Sequence, residues 1–332
     1  MSLKRPSQRL QQKNLSKTGT IPTDSDRRTG LVVASYGAKL NVEDSDGAVH
    51  RCTSRRKHGA IVCGDRVIWE PTHDNQGIVI ELLKRDTLLS RPDDIGRDKA
   101  IAANIDQLII VTTVKALDDE GYRFHANLID RYFIAAENLN ITPVLVVNKI
   151  DLLNSEEQQR LAQDVKCYHD IGYQVRYTST TRENGLDDLE AQLVSHTNVF
   201  VGESGVGKSS LISALLPNEV IRVGEVSALS GKGKHTTTTA VLYHLPCGAN
   251  LIDSPGVRDF GLARIEQDAL AYCFMEFRGY RGQCKFNNCA HVHEPICAIK
   301  TAVAARAINQ RRYENYLEIL KSLAEPLPLQ AR

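Results

Sequence analysis

Thirteen residues, Asn198 to Ser210, constrain the chain more than any other stretch: NVFVGESGVGKSS. A short apolar run, Val199 to Val201, enters a loop of small residues. A helical run then starts near Lys208 and continues through Leu211, Ile212, Leu215 and Leu216. The loop fits G-x-x-x-x-G-K-[ST], with Gly202, Gly207, Lys208 and Ser209 in the fixed positions. Its small residues let the backbone curl, so that the N–H groups of Glu203, Ser204, Gly205, Val206, Gly207 and onward to Ser210 point at a polyphosphate. The helix behind the loop adds the positive end of its dipole. Lys208 is expected to bridge the β- and γ-phosphates, and the Ser209 hydroxyl to ligate Mg²⁺.

Around this loop, 332 residues are too many for one ordinary core and imply two or three domains. No apolar run reaches the ~18 residues of a membrane span, and no apolar block follows the charged start MSLKRPSQRL, so neither a membrane partner nor a secretory signal is expected. Of eight cysteines, Cys52, Cys63, Cys167, Cys247 and Cys273 are scattered while Cys284, Cys289 and Cys297 cluster. That distribution points to a reducing, cytoplasmic compartment and one metal site rather than a disulfide scaffold. The formal charge of +1 conceals a segregation: residues 1–28 carry +5, residues 270–332 carry +4, and the middle carries −8. Basic ends on an acidic centre suit a phosphate-rich macromolecular partner.

Residues 1–28 lack hydrophobic periodicity and read as a disordered basic arm. From 29 to 92 the pattern becomes β-prone runs broken by turns, LVVASYG, AKLNVED, AVHRCTS, AIVCGDRVIWE and GIVIELLKR. Five short strands are the size of a small closed β-barrel, and an OB-fold that binds RNA is the expectation. Arg51, Arg55, Arg56 and Lys57 would lie on or beside one barrel loop; with few aromatics nearby, phosphate contacts should outweigh base reading.

Past Arg91-Pro92 the period changes again. Asp106–Val114 and Thr142–Val147 are near-continuous apolar runs, the mark of strands buried on both faces. Helical spacing over 127–137 and 155–168, with a third strand at 174–178, makes residues 93–268 an α/β domain. The second strand ends in Asn148-Lys149-Ile150-Asp151, the N-K-x-D element that reads guanine in Ras-like GTPases. An aspartate at Asp151 accepts from both N1–H and the 2-amino group of guanine, which adenine cannot match. Asn148 would hold the loop, the Lys149 stem would lie along the base, and the Ser179-Thr180 backbone stands where a second base loop contacts the guanine oxygen.

The order of these motifs is inverted. The guanine loop precedes the phosphate loop by about fifty residues, whereas ordinary GTPases place it near the end. The domain is therefore expected to be circularly permuted, and the segment that meets γ-phosphate falls at its end. Gly231–Thr239, GKGKHTTTT, reads as switch I, with Thr237 or Thr238 on Mg²⁺. Asp253-Ser254-Pro255-Gly256 reads as D-x-x-G, with Asp253 reaching Mg²⁺ and the Gly256 N–H reaching γ-phosphate. Val257 stands where a water-orienting glutamine is usual; slow intrinsic hydrolysis is expected, with His235 the candidate catalytic group.

Residues 269–332 read as a small α-helical domain. Cys284, Cys289, His291 and Cys297 supply three thiolates and an imidazole within fourteen residues, a closed tetrahedral set for one structural Zn²⁺, with His293 or Cys273 as substitutes. Such a segment, with little core of its own, would gain its fold from the metal. Ala298–Leu323 reads as one amphipathic helix presenting Arg306, Arg311 and Arg312 to phosphates.

NKID, GESGVGKSS, GKHTTT, DSPGV and C-x₄-C-x-H-x₅-C in this order, behind an OB-like barrel, resemble the bacterial small-ribosomal-subunit-dependent GTPase A family over about residues 30–323. The resemblance implies a cytoplasmic, monomeric GTPase that binds GTP with Mg²⁺. It implies binding to the immature small ribosomal subunit and its rRNA through barrel and zinc domain, stimulation by that subunit, and a role in releasing assembly factors. The alternative is an rRNA-binding assembly protein gated by nucleotide with little turnover.

Overall fold

A computed structural model describes residues 26–54, 59–92, 98–115, 121–216, 240–253, 265 and 267–324. Alternation at a period of two builds the first unit: β1 (Arg28–Tyr36), β2 (Lys39–Glu43), β3 (Val49–Ser54), β4 (Arg66–Pro71) and β5 (Gln76–Leu82). They pair in the order β1-β2-β3-β5-β4, and β4 returns to β1, so the barrel closes and leaves no open edge. Val32, Leu40, Val42, Cys52, Val67, Trp69 and Val79 fill it. A hairpin of β6 (Leu88–Pro92) and β7 (Asp98–Ala103) follows and crosses the change of pattern at 92. It was not legible as strands, because both are short and polar residues interrupt them.

The second unit holds β8 (Gln107–Thr112), α1 (Ala126–Asn138), β9 (Thr142–Asn148), α2 (Ser155–Ile171), β10 (Gln174–Thr178), α3 (Asp187–Leu193), β11 (Thr197–Val201), α4 (Lys208–Leu215), β12 (Val241–His244) and β13 (Asn250–Asp253). Every residue of β8 is buried, as its continuous apolar run requires. The sheet order is β10-β9-β8-β11-β13-β12, parallel except for β12. Leu108, Ile110, Leu145, Val147, Val199 and Val201 pack with Phe133 of α1 and Leu161 and Val165 of α2. Ile109, Val111, Val144, Val146 and Phe200 pack with Leu189 and Leu193 of α3 and Leu211 and Leu215 of α4. The sequence starts α2 sharply: the Asn154 side chain accepts from the Glu157 N–H and the Glu157 side chain from the Asn154 N–H, both at 2.9 Å.

Barrel and sheet are one continuous ladder. β12 pairs with β1 at Val241 and Ala34, and His244 Nε2 lies 2.7 Å from Glu43 Oε2. The strand that follows residues 217–239 is thus also a neighbour of the barrel.

The third unit comprises α5 (Gln267–Cys273), a 3₁₀ turn (Met275–Tyr280), α6 (Ala298–Ala304) and α7 (Gln310–Ala324). Three expectations need correction. The single helix over 298–323 is two helices: Arg306 adopts φ 61°, the Ala307 N–H returns to the Ala302 carbonyl at 2.9 Å, and Ile308 turns into the core. The unit also has an apolar core of its own, in which Leu270, Phe274, Phe277, Ile299, Tyr316 and Ile319 pack with Ile134 of α1.

Arg312 is not available to phosphates either. It is fully buried, with Nη1 2.6 Å from Asp130 of α1 and Nε 2.7 Å from Glu276. Arg311 is half-buried and bonds Asp164 and the Cys167 sulfur. Both arginines join α7 to the second unit.

Candidate nucleotide site and metal cluster

The strands β9 and β11 flank β8 in the parallel sheet, so their carboxyl ends lie at one edge with only β8 between them, which brings the guanine-type loop against the phosphate loop. Asn148, at the end of β9, donates from Nδ2 to the Val206 carbonyl at 3.0 Å and accepts from the Thr178 hydroxyl at 3.0 Å. Lys149, held at φ 62°, donates from Nζ to the Gly205 carbonyl at 2.8 Å. Two motifs some fifty residues apart therefore share hydrogen bonds. Gly207 permits the approach: at φ 98° a Cβ there would sit 2.4 Å from Asn148 Nδ2. Its glycine is required both by conformation and by space.

Lys208 opens α4, and its buried ammonium donates to the carbonyls of Gly202 at 2.6 Å and Glu203 at 2.5 Å. Ser209 and Ser210 are exposed on the first turn behind it. Asp253 closes β13, beside the phosphate-loop strand β11.

Asp151 faces the loop after β10. The Ser179 hydroxyl donates to Asp151 Oδ1 at 2.6 Å and lies 3.0 Å from the Thr181 hydroxyl. Against the burial that opposes it, the bond from Ser179, with help from Thr181 and Arg182, holds the Asp151 carboxyl below its ordinary range. An ionised acceptor is what a pair of N–H donors requires. The Ser179 N–H itself is committed to the Gly185 carbonyl at 3.1 Å, and Thr180 follows it on the exposed turn.

Sequence reading passed over Thr181, and it passed over His125, whose Nδ1 lies 3.1 Å from Glu203 of the phosphate loop. The only local signal for Thr181 was a hydroxyl-rich run after a strand; His125 had none. His235, Thr237, Thr238 and Gly256 lie outside the described residues, as do Arg55, Arg56, Lys57 and residues 1–25.

In the third unit the ligand atoms of Cys284, Cys289, His291 and Cys297 lie within 4.8 Å of one another. His291 presents Nδ1, 3.6 Å from the Cys284 sulfur and 3.4 Å from that of Cys297; those two sulfurs are 3.9 Å apart. Tyr316 and Tyr313 of α7 fasten this loop by donating to the carbonyls of Ala290 and His291. Backbone N–H groups hold the Glu294 carboxyl down to about 2, its own first and then, against burial, those of Ala290, Val292 and His293. Burial pushes the Cys289 thiol up to about 12 beside two further thiols. Three sulfurs and one imidazole converging on a point form a donor set fit for a metal ion. Of the substitutes, Cys273 is buried in the apolar core and His293 is exposed.

Residues 82–263 match the RsgA GTPase family. The chain belongs to that family. Its relatives include the small ribosomal subunit biogenesis GTPase RsgA 1 of Vibrio vulnificus, 45% identical over 325 residues, covering 95% of this chain and 91% of the relative. The small ribosomal subunit biogenesis GTPase RsgA of Chromohalobacter salexigens is 48% identical over 300 residues, covering 89% and 86%. Among solved structures, YjeQ from Thermotoga maritima superposes with a TM-score of 0.73 at 32% identity, covering 92% of this chain and 100% of that one. YloQ, described as a circularly permuted GTPase, gives 0.73 at 27% identity and covers 92% and 99%. The inverted motif order is thus the family's circular permutation, and the two contacting loops are those of a GTPase. RsgA GTPases hydrolyse GTP.

Proposed function

We propose that this RsgA GTPase acts in late maturation of the small ribosomal subunit, hydrolysing GTP in response to the subunit and helping to release assembly factors. The observation that carries the reading is the contact of Asn148 and Lys149 with the carbonyls of Val206 and Gly205, which sets a guanine reader directly against a phosphate cradle. The relatives' names supply the partner.

In this reading Asp151 pairs with the guanine edge, Ser179 and Thr180 border the base, and the N–H groups from Glu203 to Ser210 receive the phosphates. Lys208 leaves its two carbonyls to meet the phosphates. Ser209, Asp253 and Thr237 or Thr238 would hold Mg²⁺, which supplies charge neutralisation at the phosphates, and the Gly256 N–H would meet γ-phosphate. Cys284, Cys289, His291 and Cys297 would hold Zn²⁺ as a structural ion. Residues 29–92 would serve as an RNA-binding barrel, 93–268 as the GTPase and 269–332 as the zinc domain, behind a basic arm at 1–28. The protein would work as a cytoplasmic monomer on rRNA. Because β12 pairs with β1 and with β13, the strand that ends in Asp253 is linked through the sheet to the barrel.

Val257 favours a second reading, a nucleotide-gated rRNA-binding protein with little turnover, because valine cannot orient water. Phosphate release from GTP, with and without purified small subunits, separates the two. A low basal rate that rises by orders of magnitude supports the first, and a further loss of the stimulated rate in His235→Ala supports that histidine as the catalytic group. Salt-sensitive subunit binding with no rise in rate supports the second.

A further inference from the structure

The end of β10 and the loop after it are laced to the guanine-type loop by side chains. The Thr178 hydroxyl reaches Asn148 at 3.0 Å, the Ser179 hydroxyl reaches Asp151 at 2.6 Å, and Arg182 Nη2 reaches the Ile150 carbonyl at 3.3 Å. The loop is itself closed by backbone bonds, from the Ser179 N–H to the Gly185 carbonyl at 3.1 Å and from the Gly185 N–H to that of Arg182 at 3.2 Å. Thr181 sits inside this closed turn, one residue beyond the pair that borders the base.

Counting protons fixes what Thr181 does. Ser179 is buried, and its hydroxyl has one proton and two lone pairs. Asp151 is ionised: against burial, the bond from Ser179 leads the contacts that hold its carboxyl below the ordinary range. A carboxylate only accepts, so the Ser179 proton lies on Asp151 Oδ1. Across the 3.0 Å between the two hydroxyls, Thr181 can then only be the donor. The Thr181 N–H also points at Ser179 Oγ, at 3.2 Å, and fills the second lone pair. With both lone pairs taken, the Ser179 proton is left one direction, toward the carboxylate.

Direction matters at Asp151 because guanine presents two donors, N1–H and the 2-amino group. A carboxylate free to swing keeps one of these bonds at the expense of the other, whereas one pinned at Oδ1 is ready for both. The orientation is set by the fold before nucleotide arrives, so binding does not have to order it.

We propose that Thr181 is a positioning residue for guanine specificity: through the Ser179 hydroxyl it holds the Asp151 carboxylate in the orientation that receives both guanine donors, and so secures the 2-amino contact that separates guanine from hypoxanthine. The inference rests on Asp151 as the base reader, and adds a residue that acts through two others.

The test uses the full chain and compares guanosine diphosphate with inosine diphosphate, which keeps N1–H and lacks the 2-amino group, by calorimetry. Ribose and phosphates are shared, so the ratio of the two affinities isolates the base edge. Thr181→Val keeps the branched shape and removes the hydroxyl. It should weaken guanosine diphosphate by about 3- to 10-fold, the range for one hydrogen bond, and inosine diphosphate by less than about twofold. Thr181→Ser should restore the parent ratio. Thr181 is exposed on its turn, so neither change removes core packing. Equal losses for both nucleotides mark a structural role and overturn the proposal, as does an unchanged ratio in Thr181→Val or a serine variant that behaves like valine. Asp151→Asn, measured alongside, separates the two levels. If it moves preference to xanthosine nucleotides while Thr181→Val does nothing, Thr181 alone falls; if it leaves guanosine preferred, the base reader falls and Thr181 with it.

Discussion

Arg312→Ala should detach the C-terminal helix from the GTPase unit. The Arg312 side chain is fully buried, and so is that of Asp130. The guanidinium gives one hydrogen bond to Asp130, at 2.6 Å, and two to Glu276, at 2.7 and 3.1 Å. Truncation leaves two carboxylates in a poorly solvated site, and breaking a buried pair in this way costs about 3–5 kcal/mol. Asp130 keeps two donors, the Tyr168 hydroxyl at 2.8 Å and the Asn315 amide. Asp130→Asn is the milder change: an amide oxygen still accepts, Arg312 retains both Glu276 bonds, and the loss is that of one charged hydrogen bond, about 1.5–3 kcal/mol. Trp69, the sole tryptophan, sits inside the barrel and does not report on this contact. Native-state hydrogen exchange does. Protection of the slowest amides in α7 should fall by about 10²–10⁴ in Arg312→Ala, at tenfold per ~1.4 kcal/mol. The reasoning is refuted if that fall is under tenfold, or if Asp130→Asn costs more than Arg312→Ala.

Gly207→Ala adds a Cβ 2.4 Å from Asn148 Nδ2 on top of roughly 1–3 kcal/mol of strain at φ 98°, whereas Gly205→Ala, at φ 84° with nothing within 4 Å of the new atom, adds strain alone. Guanosine diphosphate affinity by calorimetry should therefore fall clearly further in the first, and equal losses would remove the steric argument. Asp151→Asn should transfer preference from guanosine to xanthosine nucleotides, because an amide N–H then meets the xanthine carbonyl; an unchanged guanosine preference would dismiss Asp151 as the base reader. Burial, followed by the charge of Asp130, raises the Tyr168 phenol well above its ordinary value of 10.0. The raised folded value means that this stability is complete below pH 10.0 and declines above it, as the unfolded chain releases a proton that the fold retains. Denaturation midpoints should drop above that pH, and Tyr168→Phe should flatten the drop while lowering stability at neutral pH.

Elements buried on both faces were the most legible. Val144–Val147 and Leu108–Val111 admit no polar residue, so β8 and β9 stand out, and Asn154 with Glu157 marks the start of α2. The helical period runs on through Ala304-Ala305-Arg306-Ala307, so the break there is invisible locally; it exists because Ile308 finds a pocket in the core. Arg312 misled for the same reason. An arginine on an amphipathic helix reads as solvent-facing until its partner is known, and Asp130 is 182 positions away.

Chemistry that resides in contiguous residues was written in the chain: the phosphate cradle, the guanine-type tetrapeptide, the thiol and imidazole cluster and the inverted order of the motifs. Each depends on side-chain identity over a few positions and on the short-range periodicity around it. What depends on which distant surfaces meet was settled only by packing. The bond from Asn148 to the carbonyl of Val206, the pairing of β12 with β1, the burial of Arg312, and the bond from Ser179 to Asp151 are all of this kind. A polar side chain is neutral evidence by itself. Desolvation and its compensation give it a role, and both are properties of the neighbours that the fold delivers.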